Sequence, residues 1–132
     1  MKIKGIAHVG LACEDGNKMS ATFIDMLNGI LEERTEYPEM QQISSMVKVG
    51  DNCLEIMEGT TPDSVIGKYV AQHGQGMHHI SFNVEDVVAL VDGLESRGYR
   101  IINKQLEDPH LRYAFVHPKS TGGILIELVE HL

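Results

Sequence analysis

Residues 76–86 read GMHHISFNVED, and residues 5–15 read GIAHVGLACED. The two stretches share a glycine, a histidine, a glutamate and an aspartate at matching places. A second match follows in the same order, because LEIME at residues 54–58 corresponds to IELVE at residues 126–130. We therefore interpret the chain as a duplicated unit in which each copy opens with a histidine and closes with a glutamate.

The hydrophobic pattern predicts the same elements in both copies. Residues 3–13 and 76–84 are short, apolar and flanked by glycine, which is typical of strands. Apolar residues spaced by three and four then predict helices that begin after Asp15 and Asp86. Further strands are predicted at residues 31–37, 43–49, 52–58, 99–103, 112–117 and 123–130. Each copy is therefore predicted to be a βαβββ module, and the fold class α+β.

The length of 132 residues predicts a single domain. We place module one at about residues 1–60 and module two at about residues 75–132. A connector helix is predicted at about residues 61–74, begun by the sequence TPDS with Pro62 near its first turn.

Charge and composition exclude several classes of protein. The net charge of −8 argues against nucleic acid as a partner. No apolar run approaches the roughly 18 residues of a membrane span, and the first residues lack the apolar stretch of a signal peptide. We therefore expect a cytoplasmic protein without a membrane partner. Cys13 and Cys53 lack CxxC spacing and predict neither a disulfide framework nor a zinc site.

Strand alternation assigns the repeated histidines and glutamates to one face. The large apolar residues next to them must face the helices, so His8, His79, Glu55 and Glu127 point to the opposite side. One interpretation is that each glutamate is a solvated strand residue and each histidine a buried core residue. The other is a metal site, because a carboxylate between Leu and Ile is costly to desolvate unless it is paired or bound to a cation.

Taken together, the four residues favour a metal. A pseudo-twofold repeat would bring two imidazoles and two carboxylates together, which suits a divalent transition ion with positions left open for water.

Three motifs carry a resemblance to a known family: IAHVGLA at residues 6–12, MHHISF at 77–82 and HPKSTGGILIEL at 117–128. The chain resembles the vicinal oxygen chelate superfamily (glyoxalase, bleomycin resistance and dioxygenase proteins), and within it the methylmalonyl-CoA epimerase family. The resemblance implies two βαβββ modules in one cupped mixed β-sheet with helices on the outer face, in a homodimer. It also implies that His8, Glu55, His79 and Glu127 hold a divalent ion such as cobalt, zinc, nickel or manganese.

The implied activity is an isomerase reaction on an acyl-CoA. It is the metal-dependent epimerisation of methylmalonyl-CoA by α-proton abstraction through a metal-stabilised enolate. We expect Glu127 to act as ligand and base, with Glu55 or a metal-bound water as the second proton-transfer group. Lys119 and Ser120 lie in a turn that suits a substrate carboxylate or phosphate.

Two departures from the family pattern lie near the expected substrate pocket. In the first, Gln41 stands where the family usually has glycine, and Ser44 stands where some members have an acidic residue proposed as a base. The second is the segment DPHLR at residues 108–112, which is shorter than the family's usual glycine-rich loop before the closing hairpin. Two alternatives therefore stay open. One is a glyoxalase-type lyase or isomerase acting on another small oxygen-chelating substrate, and the other is a non-catalytic small-molecule-binding protein of the same fold.

Overall fold

The computed structural model describes residues 2–132, and within them eight strands and three helices follow the predicted order. They are β1 (Ile3–Cys13), α1 (Gly16–Leu27), β2 (Ile30–Tyr37), β3 (Gln42–Val49), β4 (Asn52–Gly59), α2 (Val65–His73), β5 (Gly76–Val84), α3 (Val87–Ser96), β6 (Ile101–Gln105), β7 (Leu111–Val116) and β8 (Ile126–His131). Within residues 2–132, no helix is both long and apolar enough to span a membrane.

The chain divides into two compact units. The first unit comprises His8–His78, and the second comprises the segment up to Ala7 together with His79–Leu132. The connector helix α2 therefore belongs to the first unit. The module boundaries expected from the sequence stay a prediction.

The two units repeat one strand topology. The first unit has the order β2-β3-β4-β1, with β1 parallel to β4 and the other neighbours antiparallel. The second unit has the order β6-β7-β8-β5, with β5 parallel to β8 and the other neighbours antiparallel. The predicted α+β fold of tandem βαβββ modules is confirmed.

Carboxylates begin the first helix of each module in the same way. The side chains of Asp15 and Asp86 each accept a hydrogen bond from the backbone amide three residues further on, as N-caps do. Glu58 and Glu130, the last residues of the repeated motif, each accept a hydrogen bond from the first amide of α1 or α3, at 2.7 and 3.1 Å. These carboxylates satisfy amides that a helix leaves unpaired, and they lie at the positive end of its dipole.

The core of the first unit lies between α1 and one face of its strands. Leu11, Cys13 and Ile56 are buried there, and Met19 and Phe23 of α1 pack against them. This is the apolar face predicted for β1 and β4.

The second unit has an equivalent core. Val87 and Val91 of α3 pack with Val84 of β5 and Leu128 of β8, and Phe82 joins them. The predicted apolar face of β5 and β8 is therefore the face covered by α3.

The connector helix α2 packs on the opposite face of its unit. Ile66 of α2 contacts Ala12 and Met57, which alternate with the core residues of β1 and β4. The expected placement of the helices on one face thus holds for α1 and α3 but not for α2. Two glycines permit the close approach, since a Cβ on Gly59 or Gly67 would lie only 2.1 Å or 2.5 Å from its nearest neighbour.

Several predicted boundaries are corrected by the local chemistry. The N-cap of α2 is Ser64, whose hydroxyl accepts from the Gly67 amide, so Pro62 lies before the cap and not in the first turn. Strand β8 begins at Ile126 and not at residue 123, because Gly122 and Gly123 adopt positive φ angles of 76° and 109° in the preceding turn.

Candidate metal centre

In the first unit, His8 and Glu55 form a pair on the face opposite α1. Glu55 on β4 lies in register with Gly10 of β1, so His8 two residues earlier shares its face. His8 Nε2 lies 3.3 Å from Glu55 Oε1, and the side chains are only 15% and 20% exposed. The predicted orientation of both residues is confirmed.

The second unit repeats this arrangement. Glu127 on β8 lies in register with Ser81 of β5, and His79 lies two residues before Ser81. His79 Nε2 lies 3.9 Å from Glu127 Oε1, with side chains 4% and 14% exposed. The sequence repeat therefore reproduces the residue types, the strand register and the pairing.

Small and aromatic side chains surround the two pairs. Gly10 lies opposite Glu55 and Ser81 lies opposite Glu127, so a small residue occupies the same position in both units. In the second unit the ring of Phe115 meets the His79 ring edge to face, with centroids 6.0 Å apart. The His79 imidazole therefore packs against an aromatic ring on one side.

The geometry of each pair fits a shared metal ion. Ligand atoms about 2.0–2.2 Å from one ion lie roughly 3–4 Å from each other, and both nitrogen–oxygen separations fall in this range. Imidazole nitrogen and carboxylate oxygen suit divalent transition ions such as zinc, cobalt, nickel and manganese.

Strand β3 places a buried polar pair beside this face. Ser44 and Gln42 are 3% and 6% exposed, and Gln42 Nε2 donates to Ser44 Oγ at 2.9 Å. Ser44 lies opposite Met57, and Met46 lies opposite Glu55, so these side chains share the Glu55 face. Position 44, where some family members have an acidic residue, therefore carries a neutral hydroxyl on the same face as Glu55.

Strand β2 adds a carboxylate that the sequence analysis missed. Glu33 lies opposite Met46, which in turn lies opposite Glu55, so the three residues form one row across the strands. A β-bulge between Leu31 and Glu33 sets this register, and simple alternation from residue 31 would have placed Glu32 there. The signal in the sequence was the pair Glu32–Glu33 inside a predicted strand.

The predicted substrate ligands lie in the 3-10 turn Pro118–Ser120 of the second unit. Lys119 is exposed, and its backbone amide donates to His117 Nδ1. Ser120 Oγ accepts from the Arg100 amide at 2.9 Å, a contact that joins the turn to the chain just before β6. A substrate-binding role for Lys119 and Ser120 stays a prediction.

The two cysteines are protonated thiols at neutral pH. Burial, followed by the negative charge of Glu58, raises the pKa of Cys13 to about 11. Burial also raises the pKa of Cys53, with further contributions from Glu32 and Glu55. Neither thiol has the lowered pKa of a reactive cysteine.

A family model describes most of the chain. The model for the glyoxalase/bleomycin resistance protein/dioxygenase superfamily matches residues 7–115. The chain belongs to this superfamily.

Among superfamily members, the similar proteins include methylmalonyl-CoA epimerases, and the predicted resemblance is confirmed. The mitochondrial enzyme of Homo sapiens is 29% identical over 124 residues, covering 92% of this chain and 70% of that protein. The ethylmalonyl-CoA/methylmalonyl-CoA epimerase of Cereibacter sphaeroides is 24% identical, covering 92% and 93%.

Solved structures agree with the sequence matches. The crystal structure of methylmalonyl-CoA epimerase from Mycobacterium tuberculosis superposes with a TM-score of 0.88 at 28% identity, covering 98% of this chain and 89% of that one. A methylmalonyl-CoA epimerase in complex with methylmalonyl-CoA and NH4+ gives the same TM-score and identity, covering 98% and 96%. The prediction of an isomerase homologous to these epimerases, with the superfamily fold, is confirmed.

Proposed function

We propose that the protein catalyses the metal-dependent epimerisation of methylmalonyl-CoA. The observation that carries the proposal is the duplicated histidine–glutamate pair, which has the same register in both units and is only slightly exposed. The similarity to methylmalonyl-CoA epimerases over more than nine tenths of the chain supports this choice of substrate.

In this proposal both pairs serve one divalent ion, with His8, Glu55, His79 and Glu127 as its ligands. The ion, when bound, would supply a Lewis acid that stabilises negative charge developing on substrate oxygens. Two carboxylates offset the charge of a divalent cation. His79 is buried, but the side chains of His8, Glu55 and Glu127 are partly exposed, which leaves a path for substrate oxygens.

Glu127 is the proposed base. Its carboxylate takes the proton from the carbon between the thioester and the carboxylate, and the C–H electron pair moves into the enolate. A second proton-transfer group on the other face of that carbon then donates a proton, which re-forms the C–H bond and inverts the centre, while Glu127 keeps the proton that it removed. Such a base contributes typically 10²- to 10⁴-fold to a rate.

Lys119 and Ser120 are proposed to receive an anionic part of the acyl-CoA. The ammonium group of Lys119 is exposed and the turn is fixed by hydrogen bonds of its own backbone. A local cation is needed because the chain as a whole carries a charge of −8, which repels an anionic substrate.

A second candidate is a glyoxalase-type isomerase acting on another small oxygen-chelating substrate. The observation that favours it is the lack of a carboxylate at position 44, where the buried Ser44 hydroxyl accepts a hydrogen bond from Gln42. The same ligand set would serve both reactions, so only the substrate separates them.

The test is α-proton exchange of methylmalonyl-CoA in deuterated water, followed by NMR. Metal-stripped protein is expected to be inactive and to regain exchange and epimerisation when cobalt or zinc is restored. An absence of exchange in protein that carries one equivalent of metal would contradict the epimerase proposal and move the assignment to the glyoxalase-type substrate class. An absence of bound metal would favour a non-catalytic binding protein.

Two variants make this test specific to the site. His79→Ala is expected to lower both metal content and exchange at least tenfold, whereas the matched control His131→Ala, at the exposed end of β8, leaves both unchanged. The number of ions bound per chain tests whether both histidine–glutamate pairs hold the same ion. One ion per chain supports a shared site, and two ions per chain contradict it.

A homodimer and a cytoplasmic location, expected from the sequence, stay part of the proposal. Light scattering coupled to size exclusion would measure a mass of about twice 14.6 kDa for a dimer. A monomeric mass with full activity would show that the reaction needs no partner copy.

A further inference from the structure

The row formed by Glu33, Met46 and Glu55 places two carboxylates on one face of the first unit. Neighbouring strands lie about 4.8 Å apart, so the backbones of Glu33 and Glu55 are roughly 10 Å apart across β3. Two extended glutamate side chains can therefore approach a small acyl group held between them. No other carboxylate of β2 shares this row.

The orientation of Glu33 is set by contacts on both faces of β2. Its neighbour Arg34 turns the other way, and Arg34 Nε donates to Asn17 Oδ1 of α1 at 3.1 Å. Since α1 covers the face opposite Glu55, alternation directs Glu33 and Thr35 toward the Glu55 side. Thr35 Oγ1 donates to Glu33 Oε1 at 2.8 Å and holds the carboxylate in place.

The electrostatics of the same face agree with this placement. Burial raises the pKa of the Tyr37 phenol, and the charges of Glu33 and Glu55 raise it further. The negative charges of Glu33 and Glu55 therefore both affect the hydroxyl group of Tyr37. Lys48 of β3 also lies on this face, opposite Cys53. It is the positively charged residue closest along the strands to the row of Glu33, Met46 and Glu55.

We propose that Glu33 is the second proton-transfer residue of the reaction, exchanging the proton on the substrate face that Glu127 does not serve. The inference rests on the proposed epimerase function. It explains how inversion proceeds with Ser44 in place of a carboxylate, and it leaves Glu55 as a metal ligand alone. In one direction the Glu33 carboxylate accepts the α-proton as the C–H bond breaks, and in the other its carboxylic acid returns a proton to the enolate carbon.

The experiment measures exchange and inversion separately on each epimer of methylmalonyl-CoA, using the metal-loaded enzyme. In Glu33→Gln we expect inversion to fall about 10²- to 10⁴-fold. One epimer should lose α-proton exchange to the same extent, while the other keeps exchange within about threefold, because the remaining base still removes and returns its proton. Glu33→Asp should recover part of the lost rate.

The matched control is Glu36→Gln. Glu36 is an exposed carboxylate on the same strand, but it lies opposite Ile43 and faces the other side. It should leave both activities within twofold. An equal loss of exchange for both epimers in Glu33→Gln, or no loss for either, would overturn the assignment of Glu33 while leaving the epimerase function intact. Failure of the unmodified protein to epimerise would overturn both proposals.

Discussion

The repeated motif ends in a glutamate that serves the fold, and the glutamate three residues earlier is proposed to serve the metal. We predict that Glu130→Ala destabilises the metal-stripped protein, whereas Glu127→Gln mainly lowers metal affinity. Glu130 Oε1 accepts from the Val87 amide at 3.1 Å, at the start of a helix whose face forms the core of the second unit.

The magnitude follows from this contact. Loss of a helix-capping acceptor typically costs about 0.5–2 kcal/mol, and loss of a negative charge at a helix N-terminus costs about 0.3–1 kcal/mol. The first amide would be left without its acceptor, while Asp86 still caps the amide of Ala89. We therefore expect the free energy of unfolding to fall by about 1–2 kcal/mol in Glu130→Ala. In Glu130→Gln it should fall by less than 1 kcal/mol, because the amide oxygen can still accept.

The assay is urea unfolding of metal-stripped protein, followed by circular dichroism, with metal titration on the same samples. The urea midpoint of Glu130→Ala should fall by roughly 0.5–1 M without a change in slope, and the metal affinity of the folded protein should stay the same. Glu127→Gln should instead leave the urea midpoint nearly unchanged and lower the metal affinity. The reasoning is refuted if Glu130→Ala unfolds like the unmodified protein, or if Glu127→Gln destabilises the metal-stripped protein more than Glu130→Ala does.

Three further predictions concern the fold and the thiols. Gly67→Ala should lower the free energy of unfolding by about 1–3 kcal/mol, because the new Cβ would lie 2.5 Å from the backbone oxygen of Thr61; the control Gly93→Ala in α3 meets nothing within 4 Å and should raise it by about 0.5–1 kcal/mol in the same urea experiment. Cys13 should resist a thiol reagent at pH 8 in the folded protein and react in denaturant, because its pKa is about 11; rapid labelling of the folded protein would contradict this. Backbone hydrogen bonds from His110 and Leu111 lower the pKa of Asp108 from 3.8, so the ionised carboxylate stabilises the fold above pH 3.8, and this stabilisation is lost as the pH falls through the lowered pKa. The difference in unfolding free energy between Asp108→Ala and the unmodified protein should therefore shrink in acid, and a difference that stays constant down to pH 2 would contradict this.

Most of the fold was predictable because its signals are local or repeated. Alternation along residues 3–13 and 76–84 identified the core face, since a strand that buries one side must alternate. Asp15 and Asp86 marked the helix starts, because a side chain that caps a helix needs only a short reach along the chain. The duplication then carried each assignment from one module to the other.

The errors arose where a long-range contact decides the local structure. The position of α2 depends on the apolar patch of Ala12 and Met57 and on close approach at Gly59, none of which has a periodic signal. The direction of Glu33 depends on a β-bulge, which shifts the alternation by one residue and appears only once the partner strand is in register.

The sequence by itself determined the two βαβββ modules, the residue types available to a metal and the face on which His8, His79, Glu55 and Glu127 lie. These follow from spacing along the chain and from the need to bury apolar side chains. Only the tertiary structure decided that strand register brings each histidine beside its glutamate, that Glu58 and Glu130 accept hydrogen bonds from the first amides of α1 and α3, and that Glu33 turns toward the Glu55 face. Each of these depends on strand register, which hydrogen bonds between distant segments set and which no short stretch of sequence encodes.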